Sequence, residues 1–228
     1  MFPLKDSIPS ERFPTVNYAI IVLNILVFVY ELSLGAELSI FFLDYGFIPK
    51  KLFMPHNIVT LPEKVVPLFT SMFMHGNFFH LLSNMYFLFI FGDNVEDRFG
   101  HFRYILYYLF FGIIAIFTQT LLFPGAEIPT IGASGAVAGV MGAYFIMFPR
   151  AYIKTLLIII IYITIVDIPA VIFLGLWFFI QFINGTLQSM AGLQGGVAWW
   201  AHIGGFIVGV LFGSYYIRKG GSRKLICV

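Results

Sequence analysis

Apolar positions in this chain come in long unbroken blocks, not in the alternating or one-faced patterns of soluble strands and helices. Six blocks, at residues 15–34, 66–91, 104–123, 134–148, 169–186 and 199–217, are predicted to be helices. Crossing a membrane takes about 20 apolar residues, and five blocks reach or approach that length. The fourth does not. It ends at Pro149-Arg150, and a helix over 134–148 would be about 22 Å long, against a hydrocarbon core of roughly 30 Å. With its 148 end at one membrane surface, the Ser134 end stops inside the membrane. A hydroxyl then sits at a helix N-terminus, where unpaired N–H groups and a partial positive charge favour developing negative charge. Gly135 and Gly139 in this block, and Gly205, Gly209 and Gly213 in the last, recur every four residues. That spacing lets membrane helices approach closely, and packing is the competing explanation for any one of these small residues.

The stretches between blocks complete the outline. Residues 1–14 read as a short polar leader. Residues 35–66 hold apolar clusters broken by Pro49, Lys50, Lys51, Pro55 and Pro62, as expected of an element lying at the interface. Residues 92–103 are the densest polar stretch and are predicted to be a loop outside the hydrocarbon. Residues 151–185 are ambiguous because nearly all are apolar. A helix starting at Lys154 would carry Asp167 about 20 Å deep, at a cost near 3 kcal/mol. Starting the fifth helix at Pro169 avoids this and leaves Asp167 beside the positive helix end. Residues 151–168 are therefore expected to form a β-branched interfacial loop. Residues 187–198, rich in glycine and uncharged, read as a flexible connection, and 218–228 as a basic tail. No repeat or second domain interrupts 15–217.

Composition sharpens this picture. Hydrophobic residues make up 60% and charged residues 11%, whereas soluble domains carry about 25% charge, so the chain reads as a polytopic membrane protein. A net charge of +2 without a basic run gives no reason to expect nucleic acid. Cys227 is the one cysteine and cannot form an internal disulfide. Ten of the thirteen Lys and Arg residues fall on the side holding both termini and the 92–103 and 149–168 segments. By the positive-inside rule that side is cytoplasmic, and a prokaryotic cytoplasmic membrane is the expected location.

Counting up from the cytoplasmic helix ends places Ser134 at about 22 Å, His202 at about 24 Å and His80 at about 18 Å. Three helices thus bring a serine and two histidines to one level. Asn84 shares the face of His80, while His75 lies about 140° around the same predicted helix. Such groups are expensive in a membrane and should face the protein interior. Asn24 and Gln119 are expected to bond across to neighbouring helices. Metal ligation is a weaker reading: no cysteine or carboxylate lies at this depth, and five-residue spacing does not put both rings on one face. No cofactor is expected. A serine within reach of a neutral imidazole is a nucleophile and its base.

These residues resemble the rhomboid family of intramembrane serine proteases over roughly residues 45–213. The resemblance rests on Gly132-x-Ser134-Gly135, on Ala201-His202-x-x-Gly205-x-x-x-Gly209, on His75 followed by His80 and Asn84, and on the run from Phe91 to Gly100. It implies an all-α membrane protein, a six-transmembrane-helix bundle whose short central fourth helix bears the nucleophile. It implies Ser134 as nucleophile, His202 as base without an acidic third member, and His80, Asn84 and the Ser134 N–H as oxyanion donors. His75 and Gly132 would support them. Trp177, Phe178 and Phe179 would form a substrate gate in the fifth helix, under a mobile 187–198 cap. The partners implied are transmembrane segments of other membrane proteins, as substrates, within the lipid bilayer. A non-catalytic escort of membrane clients and a small transporter are the alternatives. The chain departs from the family pattern twice. Ala138 stands where many members have a tyrosine stacked on the histidine, so the residue orienting His202 is not identified, and the first loop lacks a Trp-Arg pair.

Overall fold

The computed structural model describes residues 1–159, 161–193 and 195–219. The tail beyond Lys219, including Arg223, Lys224 and Cys227, lies outside the described residues. So does residue 194 of the expected cap.

The chain opens with a strand, β1 (Phe2–Asp6), and then enters the first long helix, α1 (Thr15–Ser33). Three short helices follow, α2 (Leu38–Tyr45), α3 (Pro49–Phe53) and α4 (Leu61–Thr70), in agreement with an interrupted interfacial segment. A reciprocal Thr60–Glu63 capping box starts α4. Here the predicted single helix over 66–91 is corrected. A 3-10 turn, Ser71–Phe73, ends α4, and α5 (Phe78–Phe99) starts afresh. Asn77 is extended at the α5 N-cap, where its side chain accepts the His80 N–H at 2.9 Å. His75 therefore lies in the connection between helices rather than on a helical face.

The polar 92–103 stretch is likewise not a loop. Helix α5 continues to Phe99, and α6 (His101–Leu122) begins after Gly100 alone, whose φ of 78° suits glycine. The polarity serves internal bonding. The buried Glu96 carboxylate accepts the N–H groups of Val16 (3.0 Å) and Asn17 (2.7 Å), satisfying donors at the start of α1. Asn17 in turn donates to the Leu88 carbonyl and accepts from the Tyr104 hydroxyl, joining α1, α5 and α6. Asn24 is buried; its amide donates to the Ile20 carbonyl of its own helix at 2.8 Å and lies beside the Tyr108 hydroxyl of α6. A polar residue in an apolar helix can satisfy itself on the preceding turn.

The helix α7 (Ser134–Met147) is the buried centre, packed against α5, α6, α8 and α9. Its 14 residues are too few to cross the hydrocarbon alone. The last two helices are α8 (Ala170–Met190) and α9 (Trp199–Arg218). A methyl group added to Gly205 or Gly209 would collide with the carbonyl oxygens of Gly135 and Gly139, so α7 and α9 touch backbone to backbone. Among the described residues four helices, α1, α6, α8 and α9, are long and apolar enough to span a membrane.

The expectation of an all-helical chain, and of a loop over 151–168, is corrected by a small sheet. The strands β2 (Tyr152–Ile159) and β3 (Tyr162–Pro169) pair antiparallel, with Lys154 opposite Asp167, and β1 adds to the free edge of β2. A β-branched run free of helix caps satisfies its backbone by pairing. Pro169 closes β3 and caps α8 in an extended conformation, one residue from the predicted helix start.

Candidate active site

Ser134 is the first residue of α7, and the chain reaches it through a constrained turn. The Gly132 N–H donates to the Ser71 carbonyl at 2.8 Å, and its φ is 119°, a region L side chains rarely adopt. Gly132 also leaves room for His80: an added methyl would lie 2.6 Å from His80 Nε2 and 3.8 Å from Asn84 Nδ2. The first two turns of α5 thus hang the His80 and Asn84 side chains over the turn that delivers Ser134. An antiparallel bridge between Phe47 and Thr130 holds the same approach from the other side.

Opposite, α9 carries His202 in its first turn, with its backbone N–H on the Ala198 carbonyl. Gly135, next to Ser134, faces Ala201, next to His202: an added methyl there would sit 3.8 Å from the Ala201 oxygen. Ser134, His202, His80 and Asn84 all line one cavity of about 760 Å³. His202 and Asn84 are buried. Asn84 Nδ2 has no hydrogen-bond partner among the described residues, so a buried donor is left for an acceptor from outside the chain.

His75 stands behind this group. Its ring meets that of His80 edge-on at 5.0 Å, and its backbone N–H lies 3.2 Å from both carboxylate oxygens of Glu31, a buried acid in α1. The expected gate residues separate. Trp177 lines the cavity with its ring 5.9 Å from the His202 imidazole, Phe178 packs on Phe206 at 4.9 Å, and Phe179 is 56% exposed on the outer side of α8. Gln119 lines the cavity too, and its Oε1 has no partner among the described residues, where an interhelical bond was expected.

Two residues near the site were missed from sequence. Glu31 lies inside an apolar block and could have been noticed as a carboxylate too deep to be solvated. Gln181, in α8, is 2.8 Å through its Oε1 from His202 Nδ1. The signal it offered was that of an amide in an apolar helix, three residues before Asn184. Among the described residues no three His, Cys, Asp or Glu side chains gather as a metal site. The side chains around the shared hollow offer a hydroxyl at a helix N-terminus, an imidazole and a set of N–H donors.

Comparison with known proteins bears on this arrangement. A family model described as "Rhomboid domain" matches residues 62–219. Rhomboid-like protein 11, chloroplastic, of Arabidopsis thaliana is 37% identical over 116 residues, which cover 51% of this chain and 39% of that protein. Rhomboid protein 1, mitochondrial, of Saccharomyces cerevisiae is 29% identical over 208 residues, covering 86% of this chain and 55% of that protein. Presenilin-associated rhomboid-like protein, mitochondrial, of Homo sapiens is 27% identical over 164 residues, or 68% and 38% of the two chains. The chain thus spans about half, or less, of the length of these curated relatives. Their organellar names lend no support to a prokaryotic cytoplasmic membrane.

Proposed function

Since the chain belongs to the rhomboid family, we propose that it is an intramembrane serine endopeptidase, cleaving a peptide bond in or beside the transmembrane segment of another membrane protein. The observation that carries this reading is the convergence of α5, α7 and α9, which present His80, Asn84, Ser134 and His202 to one cavity. In this reading α1, α5, α6, α7, α8 and α9 form a six-span bundle. Its cavity opens on the side opposite the basic helix ends, through which water enters.

Ser134 Oγ attacks the scissile carbonyl carbon as its proton passes to His202 Nε2. The carbonyl π electrons move to oxygen, and the oxyanion takes hydrogen bonds from Asn84 Nδ2, His80 and the Ser134 N–H. Collapse breaks the C–N bond, and the imidazolium returns its proton to the leaving amine. Water then attacks the acyl-enzyme with His202 again as base, releasing the new carboxyl end and regenerating the serine. A regular substrate helix hides its carbonyls in internal hydrogen bonds, so the segment must unwind locally to react.

The test is cleavage of a transmembrane substrate panel in proteoliposomes. Ser134→Ala and His202→Ala should each reduce turnover to background while the protein still inserts, and a fluorophosphonate should label Ser134 in the unaltered chain. Turnover retained in either variant removes the dyad. Neither labelling of Ser134 nor cleavage of any segment in the panel would favour a client-binding role instead.

A further inference from the structure

His202 sits in a socket built mainly by α8. Its ring is 5.9 Å from the Trp177 ring at an interplanar angle of 31°, with Trp199 of α9 edge-on at 6.1 Å. The polar contact on this ring is to Gln181, 2.8 Å from its Oε1 to His202 Nδ1. Both side chains are buried, at 5% and 8% exposure, which limits competition from water for the bond. The amide can face only one way. Its NH2 group donates to the Trp177 carbonyl, one turn earlier in α8, at 3.3 Å. An amide NH2 only donates and its oxygen only accepts, so Oε1 is the end turned to the imidazole, and His202 Nδ1 must carry the hydrogen. The proton-free nitrogen is then Nε2.

We propose that Gln181 is the positioning residue of the site: it locks His202 in the Nδ1–H tautomer, leaving Nε2 as the base that faces Ser134. The proposal rests on the dyad reading above for its kinetic consequences, but not for the tautomer itself. Gln181 does from α8 what an acid would do in a three-member relay, with one difference. A neutral amide orients the ring and fixes its tautomer without adding a charge to stabilise the imidazolium. The position left open by Ala138 on α7 is thereby filled from another helix. Around the ring the other ionisable groups are His80 and, behind it, His75, whereas α8 carries no ionisable side chain.

The test reads both tautomer and kinetics. Nitrogen NMR of protein with 15N-labelled histidine in detergent, with His202 assigned by loss of its signals in His202→Ala, should show a protonated Nδ1 and a proton-free Nε2 near neutral pH. Gln181→Leu should lower kcat about tenfold or more, the factor for losing one good hydrogen bond, with KM within about twofold. Gln181→Glu should restore the bond and most of kcat at high pH. Its carboxylate would also raise the affinity of His202 for a proton, moving the acid limb of the rate profile to higher pH. A proton found on Nε2 in the unaltered chain overturns the proposal. So does a Gln181→Leu enzyme with unchanged kcat and pH profile. If the unaltered chain neither cleaves nor takes up a fluorophosphonate, the protease reading fails while the nitrogen spectrum still decides the Gln181 contact.

Discussion

A buried amide N–H without an acceptor is costly unless a bound group uses it, and Asn84 Nδ2 is in that position beside the cavity. If it serves the oxyanion, Asn84→Ala should reduce kcat by about 10²–10³-fold with little change in KM, as for a single lost oxyanion donor. Single-turnover kinetics on a transmembrane substrate would measure it, and a loss below tenfold would assign the stabilisation to His80 and the backbone. Gly132 has a different vulnerability. Its φ of 119° and the nearness of His80 leave no place for a side chain, so Gly132→Ala should displace His80 and slow turnover without emptying the membrane of folded protein. Ser134, His202, His80 and Asn84 were legible in the sequence because a strongly polar group at membrane depth needs a reason. Gln181 and Gln119 were equally visible as polar residues, but the place of an amide along an apolar helix does not say which group it meets on another helix. Both line the cavity, and only the packing of α8 on α9 brings Gln181, and not Gln119 of α6, to His202.

Helices were legible by their length and apolar content, and so were most of their ends; those of the second block were not. The polar run after Phe91 reads as a loop only if charge is equated with solvent. Its Glu96 is instead buried and caps α1 from across the bundle, a long-range bond that no local pattern announces. The same limit hid the sheet: a β-branched run at 151–168 is visible, but that β1 pairs with β2 some 150 residues away is not. Glu96→Gln should test the cap. It keeps the shape but gives up charge-assisted acceptance of two backbone donors, at a cost of about 1–3 kcal/mol. Thermal unfolding in detergent should show a lowered Tm, with the loss concentrated in faster hydrogen exchange at the start of α1. Equal exchange there in both proteins would mean that the carboxylate contributes nothing to holding that end.

Across the whole molecule, the end away from the cavity is tied together by the N-terminal strand. Asp6 closes β1, accepts the Tyr144 hydroxyl of α7 at 2.6 Å and the Asn94 amide of α5 at 2.8 Å, and so links the sheet to two helices. Burial pushes the Asp6 acid up to about 6; the Tyr144 hydrogen bond opposes this and the nearby Asp93 adds to it. Folded Asp6 therefore holds its proton more tightly than it would in a free chain, whose ordinary value is 3.8. Its contribution to docking is full below that ordinary value and is lost as pH rises through about 6. Hydrogen exchange of the β1 amides, corrected for intrinsic rates, should accordingly reveal stronger docking at pH 5 than at pH 7.5. Asp6→Asn keeps a carbonyl oxygen for the Tyr144 hydroxyl and cannot ionise, so it should flatten this dependence and tighten docking at the higher pH. If the same pH dependence persisted in Asp6→Asn, it would belong to another acid at this end, Asp93, whose charge already bears on Asp6.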